Sequence, residues 1–131
     1  MKIANVICRI VVGILFIIFG LNGLFHFLPQ PPFPEGSPDA QFIGVMTLSH
    51  WMGLIGFFQV LGGVLVHIGR TAPLGLCILA PILVNILSFH ALLLNGEGIV
   101  LGLILSVLEI FLIYAYRAYF SGIFSVNASP S

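Results

Sequence analysis

Residues Arg70 to Leu94 read RTAPLGLCILAPILVNILSFHALLL, and this stretch decides the fold. It starts within a charged turn, Gly69-Arg70-Thr71-Ala72-Pro73, and then stays apolar for about 20 residues. At about 1.5 Å per residue that is enough to cross a hydrocarbon core of about 30 Å. A soluble core helix is neither this long nor apolar on every side. Yet the run carries Asn85 near its middle, then Ser88 and His90. Polar groups at such depth must be satisfied inside the protein, so the segment reads as the polar spine of a small membrane bundle.

Composition agrees with this. The chain has 131 residues, 60% hydrophobic and 6% charged, with a mean hydropathy of +1.20, outside the range of soluble globular domains. Its length suits one membrane unit, residues 1–120, followed by a short loose tail at 121–131. With zero net charge and only four Lys or Arg, it lacks the clustered cations that nucleic-acid binding needs. Cys8 and Cys77 form no CxxC pair and no metal motif, so no metal is expected.

Working outward, the apolar runs predict helices over about 5–28, 45–68, 74–94 and 99–119. The first is too long for a signal core and lacks a small-residue cleavage site, so it reads as a retained span. Asn22 and His26 stand four residues apart and share one face of it. Residues 29–44 form an external loop holding five of the eight prolines, with Glu35 and Asp39 but no Lys or Arg. Within it, Ser37-Pro38 resembles an N-cap with proline at the first helical position.

In the second span Trp51 suits the interfacial belt, and Gln59 falls near the middle. His50 lies nine residues from Gln59, on the opposite face unless it precedes the regular helix. Glycines at 13, 20, 23, 53, 56, 62 and 63 suit close helix contact. Pro81 is expected to bend the third span. Asn85 and Ser88 share a sector of about 60°, while His90 points elsewhere. Asn95-Gly96-Glu97-Gly98 is a tight turn, so the last two spans are antiparallel neighbours. In the fourth span Gly98, Gly102 and Ser106 make a small-residue ladder, Glu109 falls at the midplane, and Arg117 with Tyr114, Tyr116 and Tyr119 anchors the end.

Lys2, Arg9, Arg70 and Arg117 all fall on one side of such a chain, and the opposite loops carry no cation. The expected class is therefore an all-α, four-transmembrane-helix bundle with cytoplasmic N and C termini. The compartment that fits is a bacterial inner (plasma) membrane, with the lipid bilayer as the constant partner.

Specific stretches resemble a known family. Arg9-Ile10, Gly20-Leu21-Asn22-Gly23-Leu24-Phe25 and Leu28-Pro29 resemble the first helix of DoxX-like membrane proteins. Gly62-Gly63-Val64-Leu65 with Gly69-Arg70 and Pro73-Leu74 resembles their second hairpin. Ala80-Pro81-Ile82-Leu83-Val84-Asn85-Ile86 with Phe89-His90 resembles their third helix. The resemblance spans about residues 9–119 and implies a four-helix membrane fold. Some relatives are subunits of a thiosulfate:quinone oxidoreductase, which implies a quinone and a protein partner, because this chain has no cofactor-binding domain of its own.

The polar residues give the resemblance something to act through. Asn22, His26, Gln59, Asn85, Ser88 and His90 are expected to line an outward-opening pocket that binds a headgroup such as a quinone carbonyl. Glu109 is the candidate catalytic residue, a proton acceptor, since a midplane carboxyl costs about 3 kcal/mol and such groups mark a pathway or site. The plainer reading is interhelical bonding by the same groups, worth about 0.6 to 2 kcal/mol each. The function expected is an accessory subunit of a quinone-linked membrane redox system, with no covalently bound cofactor. Alternatives are a non-enzymatic assembly protein docking through the Pro-rich loop, or a proton-coupled small-molecule transporter working as a homo-oligomer.

Overall fold

A computed structural model describes residues 1–131, and every regular element in it is helical. The first helix, α1, covers Lys2–Phe25 and stops where His26 turns left-handed (φ 51°) and its N–H closes on the Asn22 carbonyl. Helix α2, Pro38–Leu48, starts as the sequence predicts: Ser37 Oγ accepts from the Ala40 N–H at 3.3 Å, and Pro38 takes the first turn. Helix α3 is Trp51–Ile68 and α4 is Ala72–Ser88, which a π turn at Phe89–Leu93 extends. Helix α5 is Ile99–Ala115, followed by a 3-10 turn at Arg117–Tyr119.

The continuous helix expected over 45–68 is instead two helices. Ser49 closes α2, its N–H and Oγ both donating to the Val45 carbonyl, and His50 takes φ 60° before α3 begins. Pro81 lies inside α4 without interrupting it. Three segments are long and apolar enough to cross a membrane: α1, α3, and α4 with its π turn, of 24, 18 and 22 residues. Helix α5 is apolar but shorter, at 17 residues.

Helix α1 packs on α3 and α5, α3 on α4, and α4 on α5, closing a four-helix ring. Its core is Val12, Phe16, Val66, Leu76, Leu79, Leu83, Leu105, Leu112 and Phe120. Phe57, Phe58, Leu103, Ile104, Val107 and Ile110 all face outward, the inverse of a soluble surface. Arg9 closes the basic end, donating to the His67 carbonyl at 3.3 Å and to Asn5 Oδ1 at 3.1 Å. Tyr116 donates to the same Asn5 oxygen at 3.4 Å, joining the start of α1 to the end of α5. Arg117 covers the Tyr114 ring at 4.4 Å. Residues 121–131 are exposed throughout.

The antiparallel α1–α3 pair is set by glycine. A Cβ on Gly56 would stand 2.5 Å from the Gly20 carbonyl oxygen, and one on Gly13 would stand 2.9 Å from that of Gly63. Gly75 of α4 meets the Gly62 carbonyl of α3 in the same way, at 2.7 Å. Helix backbones can lie this close only where no side chain intervenes, and in lipid such contact replaces the hydrophobic drive between helices.

Gly56→Ala should therefore cost about 1–3 kcal/mol by forcing α1 and α3 apart. Gly53→Ala, whose Cβ would meet only Leu24 Cδ2 at 3.6 Å, should be near neutral. Denaturant unfolding in mild detergent measures both, and equal losses would contradict the seam.

Candidate functional site

Tight packing along one side of the ring leaves space on the other. Toward α5 the contact with α4 is made by side chains: Leu87 Cδ2 lies 3.0 Å from where a Gly102 Cβ would be, with Ile86 beside it. Gly98 and Gly102 add no side chains of their own. The result is a cavity of about 360 Å³ in the half of the ring away from the basic end. All four ring helices line it, and Ile43 and Thr47 of α2 lie over it.

Four of the polar residues singled out in the sequence line this cavity: Asn22, His26, Gln59 and His90. The side-chain Oδ1 of Asn22 accepts from the Leu28 N–H at 2.7 Å, which leaves its amide N–H groups free. Gln59 is 7% exposed and bonds to no other group in the chain, so both ends of its amide are available to the cavity. His90 has one nitrogen committed, since Nδ1 lies 2.7 Å from the Glu97 carbonyl oxygen. A carbonyl only accepts, so Nδ1 carries the hydrogen, and Nε2 of the neutral ring is the free acceptor. The His90 carbonyl in turn accepts from the Gly96 N–H at 2.7 Å, fixing the ring against the 95–98 turn. His26 is exposed at the cavity's edge.

The other expected site residues are not brought to the cavity. Asn85 is exposed on the outer side of α4, and Ser88 spends its hydroxyl on the Val84 carbonyl at 2.8 Å. The sequence wheel separates this pair from His90 correctly, but only packing tells which sector faces inward. Leu76, Leu79 and Leu83 fill that inward sector. Glu109 is 2% exposed, neither carboxyl oxygen has a partner, and it lies one turn beyond Leu105, which lines the cavity. His50 is an exposed cap outside it.

Phe16, Phe19 and Thr47 also line the cavity and were not picked out from sequence. The two phenylalanines lie three and six residues before Asn22, so the face carrying Asn22 and His26 already pointed to them. Thr47 carries no such signal, because it reaches the site only through the break at His50. No group of three or more His, Cys, Asp or Glu side chains converges anywhere in the chain.

His90→Phe removes the bond to the Glu97 carbonyl, so amide exchange across 95–98 should quicken by up to about tenfold. Ser88→Ala, which touches only its own helix turn, should leave that exchange unchanged. Hydrogen-exchange mass spectrometry reads both. Compared with models of protein families, with curated proteins and with solved structures, the chain matches none.

Proposed function

We propose that this chain is a DoxX-like membrane protein of four spans, with α5 as the fourth and both termini cytoplasmic. In this reading it sits in a bacterial inner membrane, and its outward-half cavity holds a quinone headgroup for a membrane redox system of which it is an accessory subunit. One observation carries the reading: Asn22, Gln59 and His90, from three different helical segments, converge on one cavity walled by Phe16 and Phe19. The cavity volume, about 360 Å³, lies at the low end for small-molecule sites, which suits a single ring.

The donor set fits a quinone. The amide N–H groups of Asn22 and Gln59 donate to carbonyl oxygens, His90 Nε2 accepts from a reduced hydroxyl, and the phenylalanines flank the ring. A bound quinone would supply two-electron, two-proton redox chemistry. This chain would bind, orient and hold a proton, with Glu109 as the nearby proton acceptor. The electron donor is then a partner protein, for which the Pro-rich segment 29–44, irregular to Ser37 and helical in α2 beyond it, is the docking surface. The burial of Glu109 with neither oxygen bonded also favours a second reading, proton-coupled transport of a small molecule through the same cavity.

Mass spectrometry of extracts from protein purified in mild detergent should find quinone near one per chain, falling at least tenfold in Gln59→Leu. No quinone in a well-folded preparation would overturn the redox reading. Substrate flux in proteoliposomes that Glu109→Gln abolishes would then establish transport.

A further inference from the structure

The outer face of α4 carries a polar side chain that nothing in the chain satisfies. Asn85 lies eight residues before Leu93, about 12 Å of helix from the end of the span. Its side chain is exposed and bonds to no other group in the chain. Lipid tails can neither donate to it nor accept from it. The other Asn, Gln and Ser side chains within the ring helices each find a partner or face the cavity, while the unpartnered Glu109 is buried inside the ring rather than on its outer face. Ser88 and Ser106 bond to their own helix turns, Asn5 bonds to Arg9 and Tyr116, Asn22 bonds to Leu28, and Gln59 faces the cavity. A backbone group on the same face lacks its regular partner. Pro81 has no N–H, so the Cys77 carbonyl lacks its usual helical donor, and both residues are exposed.

The spacing of this face is specific. Leu74, Cys77, Pro81, Val84 and Ser88 step by three, four, three and four residues, the heptad spacing of a helix that pairs with another helix. All but the half-buried Ser88 are exposed in the single chain, and Asn85 flanks the stripe. The stripe lies away from the inward sector of Leu76, Leu79 and Leu83.

We propose that this α4 face pairs with the same face of a second copy, so that the chain is a homodimer with Asn85 bonding across a two-fold axis. The occupant follows from chemistry. A primary amide carries donor and acceptor together, so two copies related by a two-fold axis satisfy each other reciprocally, with no complementary group needed on a different protein. Polar side chains bonding across helices are the established glue of membrane helix pairs. With the axis along the membrane normal, same-numbered residues sit at the same depth, which brings Cys77 opposite Cys77 of the other copy. The proposal rests on the membrane reading of the chain but not on quinone, because the cavity lies on the inward side of α4.

Cysteine cross-linking in native membranes tests this with a reporter already in the sequence. In Cys8→Ser, oxidation should give a Cys77-dependent dimer. A single cysteine placed by Val107→Cys on the exposed face of α5, with Cys8→Ser and Cys77→Ser, should give none. Energy transfer between labelled copies in lipid vesicles, read against dilution with lipid, should fall at least tenfold in Asn85→Leu and persist in Asn85→Gln. Asn85 is exposed, so Asn85→Leu should leave helicity unchanged. Cross-linking at Cys77 no stronger than at the α5 control would overturn the proposal. So would energy transfer unaffected by Asn85→Leu, or a wild-type chain that stays monomeric on dilution; the last would leave the face for a different protein.

Discussion

Everything in this structure depends on the contact between the backbones of α1 and α3. In water two apolar helices associate by excluding solvent, but in a bilayer the surrounding lipid is as apolar as leucine and that drive is absent. What remains is close packing, and it is strongest where nothing stands between the chains. Gly20 and Gly56 leave no room for even a methyl carbon between them, and Gly13 with Gly63 repeats the arrangement two turns away. Gly62 and Gly75 carry the same device to α4. Three helices are thereby fixed, and α5 completes the ring through larger side chains.

The unevenness of that packing makes the cavity. Where glycine faces glycine the helices close; where Gly98 and Gly102 face Leu87 and the His90 ring, they do not. Polar groups then collect at the open side, and two of them are held by local bonds that leave their other polar atoms free. Asn22 gives its side-chain oxygen to the turn after α1, and His90 gives its Nδ1 hydrogen to the turn before α5. The same bonds that close the two loops aim the remaining amide and imidazole atoms. Glu109 stands apart, with no partner for either oxygen and Leu105 one turn nearer the cavity. A carboxyl buried without a partner costs stability, and ionisable groups at such depth mark a pathway or site.

Much of this is legible in the sequence. The apolar runs predict four spans, of which three are long and apolar enough to cross a membrane and the fourth is a shorter apolar helix; the glycines mark the helix contacts, and Ser37-Pro38 marks the start of α2. The break at His50 was not legible as such, because a left-handed residue between two apolar helices leaves no composition signal; only its conflict with Gln59 on the wheel hinted at it. The site divided along a similar line. Asn22, His26, Gln59 and His90 line one cavity, each at a similar depth on a helix whose partner face is marked by glycine. Asn85 and Ser88 do not, because α4 is apolar on all sides and its hydrophobic pattern cannot say which sector turns inward. Only the fit of Leu76, Leu79 and Leu83 against their neighbours decides that.

The most direct measurement of the central claim, that a glycine seam holds α1 against α3 and so shapes the cavity, is solid-state NMR in lipid bilayers. With labelled protein diluted into unlabelled copies, the backbone signals of Gly20 and Gly56 should show a strong through-space cross-peak, as should those of Gly13 and Gly63. Absence of both cross-peaks in a helical, well-ordered sample would place the two helices apart and contradict the account.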